Sequence, residues 1–219
     1  MVGDFVFAMN LQEGMALYLI LLASLSIHEW AHAFVADKLG DPVPRAQGRV
    51  TLNPVAHIDP VGTVFLPLLM IFLNPGFAIF GWGKPVQVSL PNPKTRARDD
   101  MLITAAGPLA NLVIALLVAG FAGLLFWVMP DAILSVSLLK VIILLNCLLF
   151  LFNLIPVPPL DGSHFLKHAI GMRDQTYAEF ARYGFVLILV LINLPAFSSL
   201  FFGVLLPHLA FFFFSLAGI

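Results

Sequence analysis

Four stretches of this chain are long and apolar enough to cross a lipid bilayer, and nothing else in the sequence limits the fold as much. They run over Met15–Ala36, Met101–Met129, Ile133–Ile155 and Gly184–Leu206, and each reaches the ~20 residues that a spanning helix needs. Hydrocarbon offers no hydrogen bonds to the backbone, so such spans must satisfy their own peptide groups as helices. Composition points the same way. Hydrophobic residues make up 60% of the chain and charged residues 11%, against about 25% charged in a soluble domain. Mean hydropathy is +0.99. A water-soluble monomer could not cover its surface with so few polar groups, and disorder needs the opposite composition. The expected fold is an all-α polytopic membrane protein with about four to six transmembrane helices. A net charge of −1 leaves no basic field for nucleic acid. The single cysteine, Cys147, excludes a disulfide framework and a Cys-rich zinc module.

Two further apolar segments need separate treatment. The tail His208–Ile219 follows the fourth stretch and reads as a fifth, partial helix, with Pro195 and Pro207 near its boundaries. Val61–Leu73 is too short to span and ends at Asn74-Pro75-Gly76. Lysines and arginines orient the rest, because they collect on the cytosolic side. Lys38, Arg45, Arg49, Lys84, Lys94, Arg96 and Arg98 lie between the first two long stretches, and Lys167, Arg173 and Arg182 between the last two. The N-terminus, the Pro130–Ala132 connection and the tail after Leu206 carry none. This places the N-terminus outside, 38–100 mainly inside, 130–132 outside and 156–183 inside. A full crossing by Val61–Leu73 would strand Lys94, Arg96 and Arg98 outside, so that segment is expected to be re-entrant. After it, 76–93 contains Gly81, Gly83, Pro85 and the alternation Val86-Gln87-Val88-Ser89-Leu90, which suggests an irregular or short β-loop at the cytosolic surface. No charged region precedes the first stretch, so a cleaved signal peptide is not expected.

Chemistry enters with His28-Glu29-Trp30-Ala31-His32 inside the first span. Residues four apart share a helix face, so both imidazoles can meet one ion, and Glu29 lies beside the first as a base for water. By chance this spacing should occur about 0.002 times in such a composition. The bland alternative is a polar patch that packs helices, at a cost of several kcal/mol for ionisable groups in hydrocarbon. Catalytic zinc takes three protein ligands, so a third must come from elsewhere. Asp161 is the candidate, after three prolines in Ile155-Pro156-Val157-Pro158-Pro159-Leu160-Asp161-Gly162. Broken backbone survives at membrane depth only where protein or a wet cavity receives it. Asp161 could instead cap the helix that starts at Gly162. Charge counting favours the ligand reading, since it puts His28, His32 and Asp161 at the inner ends of two spans that run in the same direction. A rival set, Asp161, His164 and His168, shares one face of a short helix; it lacks a glutamate base, and a solvated face explains it. His208, alone in an aromatic tail, reads as an interfacial or hydrogen-bonded residue.

These residues together resemble the site-2 protease family of intramembrane zinc metalloproteases. The likeness rests on His28-Glu29-x-x-His32, on Gly107-Pro108-Leu109-Ala110-Asn111, on Asn153…Pro156…Leu160-Asp161-Gly162, and on the block Thr51–Thr63. It covers most of residues 15–170. The resemblance implies zinc held by His28, His32 and Asp161, Glu29 as the base, and a membrane-protein substrate whose transmembrane helix is cut in or near the bilayer. It implies one membrane-embedded metalloprotease domain over 1–219, with a catalytic core of about 15–170 and C-terminal helices over 184–219, in a short form without a PDZ or CBS domain. A prokaryotic cell membrane is the expected location. By the same resemblance Asn111 would face the substrate backbone or oxyanion; an interhelical hydrogen bond is its alternative. His57 could line the cleft or stabilise a turn in a proline-rich loop. Ala31 stands where many members have glycine, a small-for-small change.

A membrane metal or proton transporter could use the same His/Glu/Asp cluster. Such a protein should show two repeated halves, and the sequence shows none. A catalytically dead scaffold would not need the full set of Glu29 and three ligands.

Overall fold

The computed structural model describes residues 11–73, 81–129 and 135–219, and the backbone groups into two compact units, residues 1–91 and 92–219. The expected Pro130–Ala132 connection and the N-terminal ten residues lie outside the described residues. The all-helical expectation holds: no strand occurs among the described residues.

In the first unit, α1 spans Leu11–Lys38. Its buried positions include Ser24, Ser26, Ala31, Ala33 and Ala36, small residues that let neighbouring backbone approach closely. Ser26 returns its hydroxyl to the Leu22 carbonyl at 2.6 Å, which satisfies it without a partner from elsewhere. A short helix, α2 (Val43–Ala46), follows, and Asp41 caps it by accepting from Val43 N–H at 3.0 Å. A 3₁₀ turn over Pro54–His57 is capped by Asn53, and a π turn over Pro60–Phe65 by Asp59, which accepts from Val61 and Gly62. Both turns begin with proline, whose missing N–H is no loss at a first helical position. The π turn runs into α3 (Leu66–Leu73).

The apolar helix over Pro60–Ile71 is too short to cross a bilayer; at 1.5 Å per residue it rises about 18 Å against ~30 Å of hydrocarbon. Its entry and its return are tied together. Trp82 N–H donates to the Gly62 carbonyl at 3.2 Å, the Thr63 hydroxyl to the Trp82 carbonyl at 2.8 Å, and Lys84 N–H to the His57 carbonyl at 2.9 Å. Residues 57–63 and 82–84 therefore lie side by side. Residues 74–80 lie outside the described residues.

The described part of the expected β-loop, 81–92, is irregular. Val86, Val88 and Leu90 are half-buried while Gln87 and Ser89 are exposed, so the period of two is real. Among the described residues no strand pairs with it, and a side chain holds its far end instead. Asp41 accepts from Ser89 N–H at 2.5 Å, the Ser89 hydroxyl at 2.8 Å and Leu90 N–H at 2.9 Å. Burial alone would raise the Asp41 pKa, and these bonds together with that from Val43 outweigh it and hold the carboxyl below its ordinary value.

In the second unit, α4 (Arg96–Val128) and α5 (Val136–Asn153) are spans, and α4 runs through Pro108 unbroken. After α5 come α6 (Gly162–Ala169), α7 (Asp174–Arg182), α8 (Gly184–Asn193), α9 (Pro195–Leu200) and α10 (Leu206–Ala217). Ala115, Ala119 and Ala122 of α4 pack against Leu139, Ile143 and Cys147 of α5 and against Leu206, Phe213 and Ala217 of α10.

The fourth expected span needs correction. The apolar run Gly184–Leu206 is broken at Leu194, which takes an extended conformation (ψ 120°) before Pro195. A proline disfavours helical backbone in the residue before it. The long helix instead covers Pro195–Ala217, and the tail expected to be a partial fifth helix is its second half. It passes Pro207 by widening to a π turn over Phe201–Leu205, with Leu206 N–H reaching the Phe201 carbonyl. The first half of the expected span belongs to α8, which meets α7 at a bend of 58°. Four helices are thus long and apolar enough to cross a membrane among the described residues, or five if the bent pair counts as one.

Candidate functional site

His28, Glu29 and His32 are all buried in the C-terminal half of α1. One helical turn brings the two rings edge to face, with centroids 4.7 Å apart and planes at 84°. Their Nε2 atoms face each other at 3.1 Å. Two nitrogens bound to a tetrahedral zinc at ~2.05 Å would lie about 3.3 Å apart. The separation of the pair is therefore within a few tenths of an ångström of that required by a shared ion.

Glu29 is held from two sides. Its Oε2 lies 3.9 Å from the Arg49 guanidinium. A Cβ added to Gly83 would fall 2.8 Å from the Glu29 Cγ and 3.0 Å from its Oε1, so only glycine lets the chain pass this close. Arg49 also donates one Nη to the Ala56 carbonyl and the other to the Lys84 carbonyl. A single buried guanidinium thus ties the 3₁₀ turn and the segment after Gly83 to Glu29. Burial pulls the Arg49 pKa down and Glu29 pushes it back up; an arginine stays charged through such a shift. Nothing in the sequence reading pointed to Arg49 except its place two residues before the Thr51–Thr63 block.

His57 is buried, and its Nε2 meets the Thr51 carbonyl at 2.7 Å. Burial lowers its pKa, with the Thr51 contact opposing and the Arg49 charge adding. With its own carbonyl bound to Lys84 N–H, His57 ties the 3₁₀ turn to the segment after Gly83.

Asp161 lies in the second unit, where its backbone occupies the N-cap position of α6 but its carboxylate makes no capping bond. Its Oδ2 is buried. Capping, the structural alternative for this residue, is therefore not how the side chain is used. The turn before it is held by Leu160 N–H to Val157 O at 3.0 Å and by Ser163 N–H to Leu160 O at 3.0 Å. A side chain at Gly162 would strike the Leu154 and Ile155 carbonyls, so glycine lets α6 fold back on the end of α5.

His164 and His168 do not form a solvated face, contrary to the sequence expectation. Both turn to Asp100 in α4. His164 Nδ1 lies 3.1 Å from each carboxylate oxygen, and His168 Nε2 lies 2.7 Å from Oδ2. Lys167 bridges Asp100 at 3.9 Å and Asp174 at 2.8 Å, and the Ser163 hydroxyl meets Tyr177 of α7 at 2.7 Å. Asp100, which the sequence reading did not single out, is the buried centre that fixes the helix after Asp161. Asn111 is fully buried and donates to Asn146 of α5 at 3.0 Å, and Asn146 donates to the Ile142 carbonyl at 2.9 Å. His208 turns its Nδ1 to the Val204 carbonyl at 2.7 Å, the hydrogen-bonded role expected of it.

Comparison with known proteins gives one consistent result. The model of peptidase family M50 matches residues 16–135 and 130–193. A zinc metalloprotease candidate of Bacillus subtilis, YwhC, is 38% identical over 192 residues, covering 82% of this chain and 80% of its own. Rip2, named likewise in Mycolicibacterium smegmatis, is 32% identical over 203 residues, 90% of this chain and 72% of its own. Rip2 of Mycobacterium tuberculosis is 33% identical over 192 residues, 84% and 68%. No solved structure matches significantly.

Proposed function

The chain belongs to peptidase family M50, and from that premise we propose that it is an intramembrane zinc metalloprotease that hydrolyses a peptide bond in or near a transmembrane segment of a membrane protein. The single observation that carries this reading is the His28–His32 pair, converged to 3.1 Å with Glu29 beside it. Asp161 supplies the third ligand. The donor set of two imidazoles and a carboxylate suits zinc with one position left for chemistry. When bound, zinc would supply Lewis acidity toward water and the scissile carbonyl.

The chain's own groups do the rest. Glu29 takes a proton from the attacking water at a carboxylate oxygen and later delivers it to the leaving amine. Arg49 and Gly83 hold that carboxylate in place. A substrate helix hides its carbonyls in hydrogen bonds and must unwind to react. The 76–93 loop, whose described part is irregular, would offer a strand edge to the unwound peptide. Asn111 and His57 take structural roles in this reading, as an interhelical bond and as a loop tie. The distribution of lysine and arginine supports an N-terminus outside and a site toward the cytosol, and the Bacillus and mycobacterial relatives support a prokaryotic membrane.

The test is cleavage of a single-span reporter protein by purified enzyme in lipid nanodiscs. Cleavage should stop with a zinc chelator, return on adding zinc, and be absent in Glu29→Gln. Cleavage that persists in Glu29→Gln at more than a few per cent would remove Glu29 as the base.

A further inference from the structure

Beside the base lies a cavity of about 370 Å³ lined by Gln47, Arg49, Lys84, Pro85 and Gln87. That volume is in the range of sites that take a ligand group. Its lining carries two cations and two amides and no carboxylate. Arg49 is 4% exposed at its side chain, and its buried Nε–H has no acceptor among the described residues. That atom is itself covered, so what Arg49 brings to the cavity it lines is its positive charge. Lys84 is exposed and makes no ion pair among the described residues. Gln47 donates to Gln87 at 2.7 Å, which joins two lining residues and leaves the remaining amide protons of both for an acceptor. Glu29 balances part of the Arg49 charge from 3.9 Å, and Lys84 leaves the cavity positive.

We propose that this cavity is a substrate subsite for an acidic side chain, Asp or Glu, close to the scissile bond. The proposal rests on the protease reading above. It goes further by naming a residue class the substrate must carry and the groups that read it. Position follows from geometry. The cavity shares Arg49 with the base, and Lys84 directly follows Gly83, which packs on Glu29. An extended chain advances about 3.3–3.6 Å per residue, so the acidic residue lies within about two positions of the bond attacked. The occupant runs along the 85–88 edge, whose Gln87 side chain turns into the cavity wall. A lysine or arginine in the same place would face Lys84 and Arg49 and be repelled, so the site discriminates by repulsion as well as attraction.

The experiment separates binding from turnover. Glu29→Gln protein in phosphatidylcholine nanodiscs is titrated with three fluorescent single-span peptides that differ only in carrying Glu, Gln or Lys just beyond the apolar span. The Glu peptide should bind about tenfold more tightly than the Lys peptide, as a charge-assisted contact gives. Adding Lys84→Glu should reverse the order. Gln87→Glu, a second exposed position in the same cavity, should at least cancel it. Equal affinities for the three peptides, including no binding by any, overturn the subsite, as does a Glu preference that Lys84→Glu leaves unchanged. A reversal found while the unmutated protein, supplied with zinc, never cleaves a reporter supports the subsite and overturns the hydrolytic reading alone.

Discussion

Replacing Asp100 by alanine should loosen the helix after Asp161 while leaving the spans intact. Asp100 is buried and accepts from His164 and His168 at 2.7 to 3.1 Å. Lys167 adds little, since it lies 3.9 Å away and is closer to Asp174. A hydrogen bond to a charged group contributes ~1.5–3 kcal/mol, and removing one partner of a buried pair costs ~3–5 kcal/mol because the others are left unsatisfied. Asp100→Ala should therefore cost about 3–5 kcal/mol in the opening of α6, roughly two to three and a half decades in protection. Asp100→Asn keeps one acceptor oxygen and should cost about half as much. Hydrogen exchange in nanodiscs reads this directly, comparing amides of Phe165–Ala169 with those of Leu139–Cys147 in α5. The α6 amides should lose protection in both variants, more in alanine, and the α5 amides should hold. Protection of α6 unchanged in Asp100→Ala would mean that the His164–Asp100–His168 clamp does not fix this helix.

Gly83→Ala should displace the Glu29 side chain, whose Cγ would lie 2.8 Å from the new methyl; we expect kcat to fall at least tenfold with the zinc content unchanged, checked by turnover and metal analysis. Asn111→Ala and Asn146→Ala should each destabilise, and their double-mutant cycle should return a coupling of ~0.6 kcal/mol, the average for an interhelical bond in a membrane; a coupling near zero would leave Asn111 open to a substrate role. The pH dependence follows from His57. Its pKa is lowered in the folded protein by burial, so the unfolded chain binds the proton first as pH falls below ~6.5. Stability should be level above that value and decline as pH drops through it toward the folded pKa. His57→Gln should flatten the decline, and an unchanged slope in thermal unfolding between pH 7 and 5 would refute the assignment.

The helices and the histidine pair were legible because both follow from local rules. Apolar length fixes a span, and a four-residue spacing fixes two side chains on one face. The shortness of the apolar helix after Pro60 was legible as well, while its re-entrant course stays an expectation from the lysines and arginines that follow it. What escaped the sequence was long-range. Leu194 and Pro195 are ordinary in an apolar run, and whether a proline breaks a helix there or is absorbed, as Pro207 is by the π turn, depends on packing that composition does not carry. Arg49 and Asp100 look like surface charges at helix or loop boundaries. Their roles depend on partners such as Lys84 and His168, 35 and 68 residues away. The alternation over 86–90 did predict the two-residue period of burial, while the pinning of its end by Asp41 came from a residue 48 positions earlier.

The central claim, a zinc site with Glu29 as base and Asp161 as third ligand, is tested most directly by counting zinc per chain in purified Glu29→Gln and Asp161→Ala proteins after dialysis against a weak chelator. Glu29→Gln should retain about one zinc per chain, because a base that is not a ligand can be removed without losing the ion. Asp161→Ala should lose most of it. An Asp161→Ala protein that keeps a full zinc, or a Glu29→Gln protein that loses it, would contradict the assignment.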